Sequence, residues 1–283
     1  MLAYFQLAKP RITLLVLLTA AAGFYLGSEQ PASLELLLHT LIGTALASGG
    51  TNAFNQWLER EIDGKMRRTR NRPLPSGSIH PPRAFAFATL ISAAGISYLA
   101  ATVNLITAGL AFLTLLLYVA VYTPLKRTTW LATIAGSIPG ALPILGGWTA
   151  ARGAIDTEAW TLFAILFLWQ LPHFWALDWL CRSDYRAAGL RTLGATDPGG
   201  RRIGAYCTAI SGALLTASLL PGLVGLSRIL YLWAAIPLGI VLLGGSLSLW
   251  ANPTERAARR LFAGSVVYLP LLLLVLVAAK RGP

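Results

Sequence analysis

Charged residues are scarce in this chain of 283 residues, and acidic residues are the scarcest. Only 12% of the residues are charged and 55% are hydrophobic, against about 25% charged residues in an average soluble domain. Cys181 and Cys207 are the only cysteines and lack metal-ligand spacing, so we expect neither a disulfide nor a zinc site. The sequence also lacks a glycine-rich nucleotide loop and a nucleophile elbow. This composition excludes a single water-soluble core.

Nine apolar stretches each approach the length that crosses a bilayer as a helix. They run approximately over residues 12–26, 34–54, 84–103, 105–122, 130–150, 159–180, 203–224, 229–250 and 261–279. We interpret the first as a retained helix and not as a removable signal, because eight more follow it. The prediction is an all-α, polytopic membrane protein with nine transmembrane helices, in which residues 1–283 form a single domain.

Basic residues concentrate in alternate loops. With nine spans, all but four of the 23 lysine and arginine residues lie on the side of the N-terminus. The exceptions are Arg152, Arg228, Lys280 and Arg281. The positive-inside rule then predicts a cell-membrane protein whose N-terminus and basic loops are cytoplasmic. The net charge of +12 is therefore a topology signal, and we expect no nucleic-acid partner.

Polar residues beside apolar spans locate the chemistry, because they are costly there unless they serve a site. A first cluster covers residues 55–77. In it Asn55, Glu59 and Asp63 recur every four residues, so on a helix they share one face. Mg²⁺ prefers oxygen ligands and is usually held by one or two carboxylates together with substrate phosphates. This column of three residues therefore suits a metal-bound diphosphate.

Several arginines follow the column directly. They are Arg67, Arg68, Arg70 and Arg72. Because a guanidinium group can contact a phosphate through two hydrogen bonds at once, they indicate an anionic substrate. The alternative is that acids and arginines only balance each other at a solvated helix end. The ordered combination beside a span favours a functional site.

A second cluster covers residues 170–189 and lies on the same predicted side of the membrane. His173 is either a functional proton acceptor or iron ligand, or a histidine hydrogen-bonded inside the bundle, and its chemistry alone does not separate these alternatives. Asp184 lies about three helical turns later, on nearly the same face if the helix continues. It is a candidate second carboxylate facing the column. Asp178 is expected to pair with Arg182 at four-residue spacing.

A third stretch, Y-T-P-L-K-R-T-T-W, joins the fourth and fifth apolar segments. Lys126 and Arg127 in it are candidates for a phosphate clamp, although two basic residues in such a loop are usually topology anchors. The fifth segment is rich in small and cyclic residues, which indicate close helix packing or a broken helix beside a cavity. They are Gly136, Pro139, Gly140, Pro143, Gly146 and Gly147.

These motifs resemble those of the UbiA superfamily of intramembrane aromatic prenyltransferases, and within it the branch that acts on heme. The matching stretches are N-Q-W-L-E-R-E-I-D-G-K-M-R-R-T-R-N-R-P-L-P-S-G, Y-T-P-L-K-R, G-A-L-P-I-L-G-G-W, P-H-F-W-A-L and D-Y-R-A-A-G. The resemblance covers nearly the whole chain. It implies nine transmembrane helices around a central cavity, with Asn55, Glu59 and Asp63 on a first metal-binding motif and Asp184 on the remnant of a second.

Particular departures from the superfamily pattern refine the resemblance. Relatives that act on hydroxybenzoate usually carry aspartate where this chain has Gln56, which favours the heme branch. Asp178 and the run L-R-T-L after Gly189 depart from that branch in turn.

The resemblance implies that a farnesyl group passes from farnesyl diphosphate to a vinyl group of heme B, giving heme O and diphosphate. Mg²⁺ is the implied cofactor, and heme A synthase or terminal oxidase assembly are candidate partners. The implied catalytic residues are the column, His173 and Asp184, with the four arginines, Lys126 and Arg127 binding substrate. Two alternatives stay open: prenyl transfer to hydroxybenzoate or another quinone precursor, and transport of an anionic lipid or metabolite.

Overall fold

The computed structural model describes residues 2–28 and 32–281, and within these ranges the chain forms nine main helices. They are α1 (Pro10–Gly27), α2 (Leu34–Lys65), α3 (Pro81–Thr102), α4 (Leu105–Leu116), α5 (Ala132–Arg152), α6 (Thr157–Leu180), α7 (Arg201–Ala217), α8 (Leu232–Ala251) and α9 (Glu255–Ala278). The described residues contain no strand beyond one isolated bridge between Ser227 and Lys280. The all-α prediction is confirmed.

Short helical segments lie between the main helices. A π-helix over Leu117–Tyr122 and one turn over Thr123–Leu125 extend α4. The others are Leu2–Leu7, Arg182–Ala187, Leu193–Thr196, Leu220–Leu223 and a 3₁₀ turn at Ile229–Tyr231. The predicted seventh span, 203–224, is thus not continuous, because α7 ends at Ala217.

Seven helical stretches in the described residues are long and apolar enough to cross a membrane, so the protein is an integral membrane protein. They include α1, α3, α6 and α9, together with α4, α7 and α8 when their adjoining short segments are counted. Neither α2 nor α5 is among them, since amide, hydroxyl, glycine and proline residues dilute their apolar side chains. The count of nine spans remains a prediction.

Local signals explain where several helices begin. Ser33 caps α2, Asn104 caps α4 and Thr254 caps α9, each by accepting a hydrogen bond from a backbone N–H in the first turn. Proline begins α1 and α3, where its missing N–H would be unpaired in any case. The helix α2 then continues to Lys65, well beyond the predicted apolar limit at residue 54. The first polar cluster therefore starts on a regular helix.

The helices α5 and α6 occupy the middle of the bundle. Helices α1, α4 and α6 pack on α5, while α7 and α9 pack on α6. Gly147 of α5 and Gly23 of α1 lie so close to the opposite backbone that neither site has room for a Cβ atom. Since α5 also continues through Pro139 and Pro143, close packing is the correct alternative and a broken helix is not observed.

The end of α6 differs from the sequence-based expectation. The helix passes through Pro172 without interruption but stops at Leu180, and Cys181 separates it from the short helix Arg182–Ala187. The condition for His173 and Asp184 to share a face, a helix that continues between them, is therefore not met. Because the helix is interrupted at Cys181, Asp184 cannot be placed by helical periodicity from His173.

Candidate active site

The column Asn55, Glu59 and Asp63 lies on α2 and is buried, with residue exposures of 1%, 8% and 1%. Burying a charged carboxylate costs free energy unless a cation or a hydrogen-bond donor pairs with it. Each member contacts a basic side chain at 2.7 Å: Lys9 Nζ donates to Asn55 Oδ1, Lys126 Nζ to Glu59 Oε1 and Arg72 Nη1 to Asp63 Oδ2. The predicted column is thus a row of amide and carboxylate groups faced by cations.

Three basic side chains face only two carboxylates in this cluster, so the site favours an added anion. Burial alone would lower the pKa of Lys126, but the charge of Glu59 raises it well above its usual value. Burial lowers the pKa of Lys9 to about 7, with repulsion from Arg72 contributing in the same direction. A bound anion would therefore stabilise the charged form of Lys9.

The sequence reasoning missed Lys9 and Thr123. Lys9 was counted only as a topology anchor, although it lies between two helices with a left-handed backbone at φ 46° and reaches Asn55. Asn55 Nδ2 also donates to Thr123 Oγ1 at 3.3 Å, and Thr123 donates to the carbonyl oxygen of Tyr118. A π-helix precedes Thr123, and such segments are frequent at functional sites. Pro124, which has no N–H to donate, is the local signal for it.

The other predicted basic residues are not part of this row. Arg67, Arg68 and Arg70 are exposed, and no ion pair joins them to the column in the described residues. Arg127 is exposed as well and donates to the carbonyl oxygen of Leu58 at 3.4 Å. Of the six predicted substrate-binding residues, Arg72 and Lys126 are therefore the ones held against the column.

The two polar clusters contact each other through apolar residues near their ends. Ile62 and Met66 of the first cluster pack with Ala188 and Leu190 at the end of the second, and Tyr185 packs against them. Burial raises the pKa of Tyr185 to about 12. Asp184 lies next to Tyr185 and is half-buried, with no hydrogen bond or ion pair from its side chain within the described residues. Asp184 thus stays a candidate ligand on a segment that contacts the first cluster.

His173 lies away from the column, against α9. Its ring stacks between Trp169 and Phe262, with centroid distances of 4.9 and 4.8 Å. Its Nδ1 lies 2.8 Å from Ser265 Oγ, which itself donates to the carbonyl oxygen of Phe262 at 2.6 Å. The single hydroxyl proton of Ser265 can serve only one of these two contacts: when it is donated to the Phe262 carbonyl oxygen, His173 Nδ1 carries the ring proton and Nε2 has the free lone pair.

The expected pair of Asp178 and Arg182 is wrong. Arg182 stacks on Trp179 at 4.3 Å and contacts Glu255 at 3.4 Å. Asp178 is buried and accepts hydrogen bonds from Thr192 Oγ1 and from the backbone N–H of Gly194. The helix break at Cys181 is the physical reason, because i,i+4 neighbours face each other only on an unbroken helix.

The donor set suits a hard divalent cation that shares its ligands with phosphate. No group of three histidine, cysteine, aspartate or glutamate side chains able to hold a metal occurs in the described part of the chain. The column offers two carboxylates and one amide oxygen, and Asp63 Oδ1 is buried without a hydrogen-bond partner. Mg²⁺ is usually bound by one or two carboxylates plus phosphate and water, so these residues fit it.

Comparison with known proteins identifies the family. The model of the UbiA prenyltransferase family matches residues 16–275. The chain belongs to this family. A protoheme IX farnesyltransferase of Solibacter usitatus is 43% identical over 288 residues, covering 99% of each chain. The protein is thus a membrane prenyltransferase, and the transporter alternative finds no support.

Solved structures of UbiA proteins share the fold. One, described as a digeranylgeranylglyceryl phosphate synthase in membranes, has a TM-score of 0.83 and 17% identity, covering 98% of this chain and 97% of that one. A UbiA homologue from Archaeoglobus fulgidus bound to GPP and Mg²⁺ has a TM-score of 0.73 and 18% identity, covering 97% and 99%. At 17% and 18% identity, this likeness establishes the fold of the present protein and not its substrates.

Proposed function

We propose that the chain transfers a farnesyl group from farnesyl diphosphate to a vinyl group of heme B, giving heme O and diphosphate. The observation that carries this proposal is the full-length match to a relative named protoheme IX farnesyltransferase. Hydroxybenzoate and related quinone precursors remain the competing acceptors. The geometry supports the donor half of the reaction most strongly.

The donor site is the row formed by the column and its cations. The diphosphate of the donor would bind Lys9, Arg72 and Lys126. These three cations together carry more positive charge than the two buried carboxylates carry negative charge. Charge stabilisation of a departing group is usually the largest catalytic contribution, because fixed cations need no reorganisation. These partly buried cations therefore stabilise the diphosphate as it leaves the farnesyl group.

Asn55, Glu59, Asp63 and Asp184 are the proposed ligands of Mg²⁺. When bound, Mg²⁺ supplies Lewis-acid stabilisation to the diphosphate oxygens. The unpartnered Oδ1 of Asp63 and the unpaired side chain of Asp184 support this assignment. Arg67, Arg68, Arg70 and Arg127 are exposed, so their proposed contribution is long-range attraction of the anionic donor.

The acceptor half of the reaction is proposed to use His173. With Nδ1–H donated to Ser265 Oγ, the Nε2 lone pair is available to the heme iron or to the proton released during the reaction. The flat rings of Trp169 and Phe262 hold the imidazole on both faces. A histidine held in this way has one tautomer and one orientation, which a ligand or base requires.

The proposed reaction breaks one bond of the donor and forms two bonds on the heme vinyl group. The C1–O bond of farnesyl diphosphate breaks and its electron pair leaves with diphosphate. The terminal carbon of the heme vinyl group bonds to C1, which leaves a cation next to the porphyrin ring. Water adds to that cation and loses a proton, so the product is a hydroxyethylfarnesyl heme. The apolar bundle protects the allylic cation from water before the C–C bond forms.

We place the site on the cytoplasmic side of the cell membrane, because the basic loops lie there by the positive-inside rule. The product would pass to heme A synthase or to terminal oxidase assembly. Cysteine introduced in the loop between α2 and α3, residues 66–80, should react with a membrane-impermeant reagent only in inside-out vesicles. Labelling in right-side-out vesicles would overturn this orientation.

The reaction is tested by product mass. Membranes containing the protein are incubated with Mg²⁺, farnesyl diphosphate and either heme B or 4-hydroxybenzoate. We expect a heme product heavier by one farnesyl group and one hydroxyl group, and no prenylated benzoate. Prenylated benzoate with unchanged heme would contradict the proposed acceptor, and membranes carrying Asp63→Asn are the control.

A further inference from the structure

Asp178 lies on the last turn of α6, is 5% exposed and has no charged partner among the described residues. Its carboxylate accepts from Thr192 Oγ1 at 2.6 Å and from the backbone N–H of Gly194 at 2.7 Å. Gly194 lies so close that a Cβ there would collide with Asp178. Both carboxylate oxygens therefore bind the segment 190–194 that follows the second cluster.

The same segment contacts the basic loop of the donor site. The backbone N–H of Arg191 donates to the carbonyl oxygen of Lys126 at 3.1 Å. Lys126 Nζ in turn donates to Glu59 Oε1 at 2.7 Å. A continuous set of hydrogen bonds thus runs from Asp178 through the segment 190–194 to Lys126 and ends on the acidic column.

Lys126 lies in a turn whose own backbone hydrogen bonds fix its shape but not its position against α2. The N–H of Lys126 donates to the carbonyl oxygen of Tyr122, the last residue of the π-helix, at 3.3 Å, and the next three N–H groups also bond within the turn. In the described residues, Arg191 is the one donor of a backbone hydrogen bond to this turn from another segment. The neighbouring Arg127 is exposed and reaches Leu58 through a long bond of 3.4 Å. A long lysine side chain loses conformational entropy when it is fixed. A backbone held in place by another segment reduces the number of positions from which the side chain must find Glu59, so it lowers this entropic cost.

We propose that Asp178 is a positioning residue that fixes Lys126 against Glu59 by clamping Thr192 and Gly194. The inference rests on the proposed function, because it assigns Lys126 to the prenyl diphosphate. Aspartate suits the clamp since it offers two acceptor oxygens to two donors. Asparagine would turn one of these oxygens into a donor and break one of the two bonds.

The test compares variants of the clamp with a matched control. Asp178→Asn and Thr192→Val remove one bond each, whereas Thr192→Ser keeps the hydroxyl donor. Asp197 is the control: it is also buried, at 7% exposure, but accepts from the N–H of Ile203 at the start of α7. Asp197→Asn should lower the melting temperature without affecting Lys126.

Two readouts separate positioning from general stability. The KM for farnesyl diphosphate should rise about tenfold in Asp178→Asn and Thr192→Val, since misplacing a catalytic contact by about 1 Å costs up to a hundredfold. The KM for heme B, and both KM values of Thr192→Ser and Asp197→Asn, should stay unchanged. Backbone hydrogen exchange over residues 122–128 should quicken in the first two variants alone.

Each outcome decides the inference. An unchanged donor KM in Asp178→Asn, or an equal rise in Asp197→Asn, would overturn it, because Asp178 would then act only through stability. Should the wild-type protein form no prenylated heme, the proposed function fails, yet hydrogen exchange still decides whether Asp178 holds the Lys126 loop. Unchanged exchange over residues 122–128 would sink the positioning role in either case.

Discussion

The two polar clusters of this protein differ in how their buried polar groups are satisfied. In the first, Glu59 and Asp63 are balanced by long cationic side chains drawn from other segments. In the second, His173 is held by two aromatic rings and a serine, and Asp178 by a hydroxyl and a backbone N–H. The first cluster is therefore built on charge, and the second on packing and neutral donors.

This difference indicates a division of labour. A cluster in which cations outnumber carboxylates can accept a charged leaving group and then release it. A cluster fixed by ring stacking suits a flat, largely apolar partner, because aromatic surfaces gain from burial against another ring system. The comparison supports the proposal that the diphosphate binds the first cluster and the acceptor the second, and each variant below tests one side of this proposal.

Asp63→Asn should have the largest effect. The substitution keeps the shape of the side chain but removes the charge that faces Arg72 and the proposed metal. Turnover should fall at least about a hundredfold, the usual cost of losing a main electrostatic contact. Steady-state assays with melting temperatures check this result. Glu61→Gln, an exposed carboxylate on the same helix, is the matched control, and near-normal turnover in Asp63→Asn would remove Asp63 from the site.

Lys126→Met should come next. Hydrogen bonds to charged groups contribute about 1.5–3 kcal/mol, which corresponds to about ten- to a hundredfold in donor affinity. The change should appear in the KM for farnesyl diphosphate, with that for heme B unaltered. Arg127→Met is the control, since this neighbour is exposed. Equal defects in both variants would mean that the loop charge, and not the contact with Glu59, matters.

The pH dependence of donor binding should follow the protonation of Lys9. With a pKa of about 7, its charged fraction falls from about nine-tenths at pH 6 to about one-tenth at pH 8. Because only charged Lys9 attracts diphosphate, the donor KM should rise over this range. Lys9→Arg stays charged and should have a flatter profile, while the titration of the diphosphate itself affects both proteins alike. Identical profiles would contradict the role of Lys9.

His173→Ala should have the smallest of these effects, about tenfold in turnover, equivalent to the loss of one contact of about 1.4 kcal/mol. Ser265→Ala sharpens the test, because it keeps the imidazole but removes the partner that sets its tautomer. It should give a weaker defect in the same parameter. A His173→Ala protein with lower thermal stability and normal turnover would instead identify a structural histidine.

The sequence predicts the helices and the column well, for physical reasons. Apolar runs of membrane length leave the backbone no alternative to helix, and four-residue spacing places Asn55, Glu59 and Asp63 on one face. Their partners could not be predicted. Lys9 contacts a residue 46 positions later and Lys126 one 67 positions earlier, and such pairings depend on how helices pack.

Asp178 and Asp184 show where periodicity fails. Helical spacing predicts their positions only on an unbroken helix, but α6 ends at Leu180 and Cys181 separates it from the next short helix. In the sequence, Asp178 and the run L-R-T-L are two separate departures from the heme branch, whereas in the structure Asp178 accepts a hydrogen bond from Thr192 of that run. A single sequence gives no means to see that two unusual positions touch.

The most direct test of the division between the clusters is a pair of binding titrations on two purified variants. Farnesyl diphosphate with Mg²⁺, and heme B, are each titrated into Asp63→Asn and His173→Ala. We predict that Asp63→Asn loses affinity for the diphosphate and keeps that for heme, and that His173→Ala does the reverse. Equal loss of both ligands in either variant would contradict the division and make the two clusters one undivided site.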